Sequence, residues 1–112
     1  VWCAVDCGIV INKEGATNMI EGRIIDGIGH AMYSELKFEN GSSVHKNFDT
    51  YNFIRHYQSP SDIETYFVES DNAPTGLGEP SYPPAVGALA NALYRATGKR
   101  FYHQPYFKEM ET

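Results

Sequence analysis

Asn18-Met19-Ile20-Glu21-Gly22-Arg23-Ile24-Ile25-Asp26-Gly27-Ile28-Gly29-His30-Ala31-Met32-Tyr33-Ser34 decides the fold class, because here the apolar spacing changes from strand-like to helical. On a wheel of about 100° per residue, Ile20, Ile24, Ile25, Ile28, Ala31 and Met32 fall in one broad arc that faces a core. Asn18 with Glu21 three residues on has the pattern of a capping box, which places a helix over about residues 17–34. Arg23, His30 and Ser34 share a polar side, where a lone histidine is expected to be solvated.

This helix carries Gly22, Gly27 and Gly29, and each costs a helix interior about 1 kcal/mol relative to alanine. Something has to offset that cost. Gly22, Asp26, Gly29 and Tyr33 form a narrow face of their own, so close approach is expected there, by another backbone or by a flat ligand.

Working outward, Val1 to Ile11 is β-branched and apolar, interrupted by Gly8, and reads as a buried strand that leaves through the polar turn Asn12-Lys13-Glu14-Gly15. Asp6 is expected to be satisfied by nearby backbone N–H groups. Cys3 and Cys7 would point to one face of that strand, ~13 Å apart, too far for a disulfide. With no second cysteine pair, they read as two small buried thiols rather than a metal site.

Beyond the helix, Asn40-Gly41 between short apolar and polar runs is a two-residue hairpin turn, since both positions need positive φ. Residues 47–55 mix aromatic and polar side chains as a strand or loop. His45 and His56 lack metal-ligand spacing. Asp62 to Ser70 alternates as a half-buried strand, with Ile63, Thr65 and Phe67 on one side. Asp71-Asn72-Ala73-Pro74 breaks it. A second helix follows over about 83–97: Ser81 is a candidate cap, Pro83 and Pro84 suit a first turn, and Val86, Leu89, Ala90, Leu93 and Thr97 line one face. Gly98 ends it, and Lys99-Arg100 suit the negative end of its dipole. The tail from Phe101 reads as an edge strand. The class is α+β: two helices on a mixed or antiparallel sheet that includes the hairpin at 40–41, with residues 1–112 as one domain.

The composition is that of a globular chain, 42% hydrophobic and 21% charged. At this length about two-thirds of the unfolded surface is expected to be buried. A net charge of -5 with scattered Lys and Arg excludes a nucleic-acid footprint. No apolar run reaches the ~20 residues of a membrane span, so neither nucleic acid nor membrane is expected as a partner. The sequence opens inside a strand without an initiator methionine, as a piece of a longer chain does, so the compartment, cytoplasmic or periplasmic, is left open.

Chemistry concentrates in Thr75-Gly76-Leu77-Gly78-Glu79-Pro80, which holds a carboxylate between glycines and a proline just before a helix. Gly76-Leu77-Gly78 lacks the third glycine and the lysine of a phosphate loop. Taken alone, these residues leave Glu79 divided between a solvated loop acid and a general base at the positive end of a helix dipole.

The ordered set Val5-Asp6-Cys7-Gly8-Ile9-Val10-Ile11-Asn12, Ile20-Glu21-Gly22, Gly27-Ile28-Gly29, Asn47-Phe48-Asp49-Thr50-Tyr51, Gly76-Leu77-Gly78-Glu79-Pro80, Pro83-Pro84 and Ala88-Leu89-Ala90-Asn91-Ala92 to Ala96-Thr97-Gly98-Lys99-Arg100 resembles a known family. It is similar to the C-terminal part of the molybdopterin-binding large subunit of the xanthine dehydrogenase and aldehyde oxidase superfamily, nearest the isoquinoline 1-oxidoreductase β-subunit. The resemblance runs from about residue 3 to 103. It implies that Glu79 is the active-site base, taking the proton of a molybdenum-bound hydroxide that attacks an N-heterocycle or aldehyde as hydride passes to a sulfido ligand. It further implies cofactor contacts at Gly78 and Gly22, no metal ligand from this chain, and as partners the upstream remainder of the large subunit, an iron–sulfur small subunit and a small-molecule substrate. Where the family commonly carries glutamine two residues before Glu21, this chain has Met19, whose thioether lacks the amide's hydrogen bonds; either Asn18 substitutes from the adjacent position, turned by ~100° on the helix, or this cofactor contact is missing. The family's subunit is several times longer, so the isolated 112-residue chain is expected to be inactive and free of cofactor. A second reading, of a different class, is a non-catalytic truncated domain or interaction module that keeps only the fold.

Overall fold

Asn12 begins the longest helix: its side chain accepts from the Gly15 N–H at 2.9 Å, and Glu14 occupies the first turn. The computed structural model describes residues 1–111. In chain order they form β1 (Trp2–Val5), α1 (Lys13–Met32), β2 (Phe38–Glu39), β3 (Ser42–Ser43), a 3₁₀ turn (His56–Gln58), β4 (Glu64–Phe67), α2 (Tyr82–Thr97) and α3 (Tyr106–Met110). The segment expected to be a polar turn at 12–15 is therefore the first turn of α1, and Asn18 is not a cap. By Asn18 the helix is already running, and its first free N–H groups lie a turn and a half earlier.

β1 pairs with β4 in parallel, Trp2 opposite Glu64 and Val5 opposite Phe67, while β2 and β3 form a separate antiparallel hairpin. In the hairpin, Asn40 and Gly41 have φ of 51° and 76°, the left-handed pair that a two-residue turn needs. In β4 Thr65 and Phe67 are half-buried while Glu64 and Tyr66 are exposed, as the alternation predicts. β1 differs from expectation. It ends at Val5, alternates exposed with half-buried residues and leaves Trp2 80% exposed, so it is not a buried strand. The chain then turns through Gly8, where a side chain would lie 2.4 Å from the Ala73 carbonyl oxygen. Asp6 accepts from the Gly8 N–H as anticipated, and both cysteines are free, Cys7 buried and Cys3 half-buried.

α2 starts with prolines in its first turn and ends at Gly98, φ 74°, whose N–H donates to Tyr94 O. Ser81 does not cap it: the serine backbone is helical, and its buried hydroxyl donates instead to Ile20 O at 3.2 Å. The expected edge strand after Phe101 is α3, because Phe101 and Tyr106 fold back onto Ala31 as one buried cluster with Met32, Leu89 and Leu93 around it. Lys108 pairs with Glu35 and ties α3 to the residues just past α1.

The core is thin. Ile20 is the only large side chain fully buried among the described residues, and α2 has no buried residue at all. The accessible surface is 7890 Å², against about 6,200 Å² for a folded monomer of this mass, so the chain buries roughly 57% of its unfolded surface rather than two-thirds. The radius of gyration, 16.5 Å, likewise exceeds the about 13 Å of a self-contained domain of this length.

Candidate active site

The loop from Thr75 to Ser81 is tied at its two ends. Thr75 N donates to Cys7 O at 2.9 Å, and Ser81 Oγ donates to Ile20 O at 3.2 Å, one end held by the segment after β1 and the other by α1. Between the ties, no hydrogen bond among the described residues engages the backbone N–H groups of Gly76, Leu77, Gly78 or Glu79. A loop with fixed ends and open donors in the middle can bind an acceptor-rich ligand without reorganising.

Glu79 is exposed in this loop, and its carbonyl accepts from the Tyr82 N–H at 3.0 Å in the turn that starts α2. Its side chain lines a cavity of about 370 Å³ together with Arg23, Tyr82 and Pro83. α1 forms one wall, α2 and its preceding turn the other. Their separation is set by Gly27: a Cβ there would come within 2.9 Å of the Tyr82 carbonyl oxygen, so any larger residue would push the turn carrying Glu79 away.

The α1 wall is braced by charge. Arg23 donates to Asp26 Oδ2 at 2.9 Å, and His30 Nδ1 lies 3.4 Å from the other carboxylate oxygen and 3.0 Å from the Asp26 carbonyl. The His30 ring meets the Tyr82 ring with centroids 5.5 Å apart. His30 is thus engaged rather than merely solvated. Burial chiefly, with the Asp26 carboxylate and Tyr51 adding to it against Arg23, pushes the Tyr82 phenol up from its usual range.

Of the residues singled out in the sequence, Glu79 lines the cavity, while Gly78 stands beside Glu79 and Gly22 beside Arg23. At Gly22 and at Gly78 alike, an added Cβ would meet nothing within 4 Å. Gly22 is an exposed helix-interior glycine whose cost no contact inside the chain offsets. That is a fit for a flat group lying against the helix from outside. Asn18 is exposed one turn before Gly22 and does not reach the cavity wall; Met19, one turn before Arg23, lines a separate apolar groove with Leu77 and Pro74. Sequence reasoning missed Arg23 and Tyr82 as companions of Glu79. The available signals were the i,i+3 spacing of Arg23 with Asp26 and of Glu79 with Tyr82.

No cluster of three or more His, Cys, Asp or Glu among the described residues could hold a metal ion, and no helix there is long and apolar enough to cross a membrane.

Residues 1–60 match the family model of the molybdopterin cofactor-binding domain. The membrane-bound aldehyde dehydrogenase [pyrroloquinoline-quinone] of Gluconacetobacter polyoxogenes is 35% identical over 90% of this chain and 13% of its own length. The isoquinoline 1-oxidoreductase subunit beta of Brevundimonas diminuta is 34% identical over 94% of this chain and 13% of its own. Quinoline 2-oxidoreductase from Pseudomonas putida 86 shares the fold, with a TM-score of 0.77 over 91% of this chain and 14% of that one, at 22% identity. The chain therefore spans about an eighth of the length of the relatives it matches.

Proposed function

This chain belongs to the molybdopterin cofactor-binding domain family, and from that membership we propose that it is one domain, residues 1–112, in the C-terminal part of the large subunit of a molybdenum hydroxylase. The activity is oxidation of an N-heteroaromatic or aldehyde substrate with water-derived oxygen, in line with the names of its relatives. The observation that carries the reading is the Glu79 cavity, a carboxylate on a loop fixed at both ends and facing α1 across a gap that Gly27 sets.

Molybdopterin, when bound, supplies the metal centre at which oxygen transfer and two-electron oxidation occur. Gly22 and Gly78 offer it close approach, and the open N–H groups of residues 76–78 offer donors. Asn18 stays one turn from Gly22 as a peripheral contact. Glu79 accepts, at a carboxylate oxygen, the proton released as oxygen passes to the substrate; a general base in this role contributes about 10²–10⁴-fold. Electrons leave through an iron–sulfur small subunit.

The remainder of the large subunit completes the site. The excess surface supports this, as does an apolar groove of about 430 Å³ between β1, α1 and α2, lined by Trp2, Ile24, Ile28, Ala88 and Leu89. The isolated chain accordingly retains no cofactor. Metal and pterin analysis, with a panel of N-heteroaromatics and aldehydes, tests the reading. The complete subunit should carry about one molybdenum per chain and oxidise members of the panel, and the 112-residue chain should carry none. Absence of molybdopterin from the complete subunit, or a full molybdenum complement on the short chain, overturns it.

A further inference from the structure

The Glu79 cavity contains a second polar group that the proposed base does not use. Tyr82 lines the same cavity three residues after Glu79, in the turn closed by the bond between its N–H and the Glu79 carbonyl. One turn thus brings a residue with an acceptor and a residue with a donor to the same cavity. We propose that the Tyr82 hydroxyl holds the acceptor atom of the substrate, a ring nitrogen or an aldehyde oxygen, while Glu79 serves the carbon next to it. This rests on the hydroxylase reading above and names the group that recognises its substrate class.

Three features of the site support the assignment. The Tyr82 ring is placed from outside its own helix: it packs on His30, which is fixed by Asp26, which is in turn held by Arg23. The hydroxyl itself has no hydrogen-bond partner among the described residues, so its proton is available to a ligand. Burial, together with the Asp26 carboxylate, raises the phenol above its usual range, so it keeps its proton through neutral pH. Arg23 is the other donor in the cavity, with one guanidinium nitrogen bonded to Asp26, so the test below compares it with Tyr82.

The chemistry suits the substrates. An N-heteroaromatic ring is attacked at a carbon beside nitrogen, and a hydrogen bond to that nitrogen both orients the ring and draws electron density from the carbon. A site with a donor for the ring nitrogen also discriminates against the all-carbon ring, because the donor would be left unpaired.

Equilibrium binding of isoquinoline and of naphthalene to the cofactor-loaded complete subunit reads the donor without relying on turnover. Tyr82→Phe keeps the ring on His30 and removes only the hydroxyl. It should weaken isoquinoline on the order of tenfold and leave naphthalene unchanged. The loss should not add to the loss from removing the ring nitrogen, and turnover of an N-heteroaromatic should fall with molybdenum content intact. Equal losses for both rings, no loss for either, or failure of wild type to bind isoquinoline overturns the proposal. So does a nitrogen-selective loss that follows Arg23→Gln and not Tyr82→Phe. Should Tyr82→Phe lose its pterin, wild type decides alone: a preference for isoquinoline supports the donor, and equal affinity overturns it. The hydroxylase reading fails separately, through absence of molybdopterin or of any oxidation by wild type.

Discussion

The glycines of α1 meet opposite surroundings, and not by helix face, since Gly22 and Gly29 share one. At Gly27 and Gly29 a methyl group would strike the Tyr82 carbonyl oxygen at 2.9 Å and Ile54 Cγ2 at 2.6 Å. At Gly22 it would strike nothing within 4 Å. Each glycine costs the helix about 1 kcal/mol. The packed pair is explained inside the chain by the close approach of α2 and of the segment before the 3₁₀ turn. Gly22 has no such explanation inside the chain, and the cofactor contact proposed for it would supply one. A glycine whose cost is unexplained internally is therefore a more specific pointer to an external ligand than a glycine in a crowded seam.

Substitutions at the crowded and the open positions should separate them. The largest effect is expected at Ile20, which is fully buried beneath the Ser81 tie: Ile20→Ala should cost about 2–5 kcal/mol in urea unfolding of the chain. Next comes Gly27→Ala, where a backbone oxygen must shift; overpacking should cost about 1–3 kcal/mol, offset in part by the gain in helix propensity. Gly22→Ala should do the reverse, stabilising the chain by about 0.5–1 kcal/mol while lowering the pterin content of the complete subunit. If Gly22→Ala destabilised the chain as much as Gly27→Ala, the contrast between crowded and open glycines would be lost.

A smaller, pH-dependent effect is expected where α3 is tied to the residues just past α1. Hydrogen bonding from Lys108 holds the Glu35 carboxyl below its usual range, and the backbone N–H groups of His103 and Tyr102 do the same for Glu109. Both pKa values are depressed by folding, so this support is complete above the ordinary carboxylate range and is lost as pH falls through the lowered values. Amide exchange of residues 101–110 should accelerate there before that of α1. Simultaneous acceleration of both would show that the C-terminal segment is no separate latch.

The same contrast explains what was legible in the sequence. Local chemistry carried the hairpin at Asn40-Gly41, the alternation of β4, and the bounds of α2 with its prolines and Gly98, because each is decided by residues within a few positions of one another. The start of α1 was misplaced because Asn12 and Asn18 both offer a capping side chain, and only the backbone groups left unsatisfied choose between them. Ser81 and the tail after Phe101 were misread because their partners, Ile20 and Ala31, are distant in sequence. The site divides in the same way. Glu79 stands out through its flanking glycines and proline and Tyr82 is its neighbour through a local turn, whereas Arg23 joins them only when α1 and α2 close on Gly27.

The central claim is that Glu79 is the base of a site that this chain helps to build. The most direct test is Glu79→Gln in the complete subunit, with turnover and molybdenum content measured on the same preparation. The carboxamide keeps the shape and removes the base, so turnover should fall by at least about 100-fold with full molybdenum content. Turnover near the wild-type rate in the fully loaded variant would contradict the account.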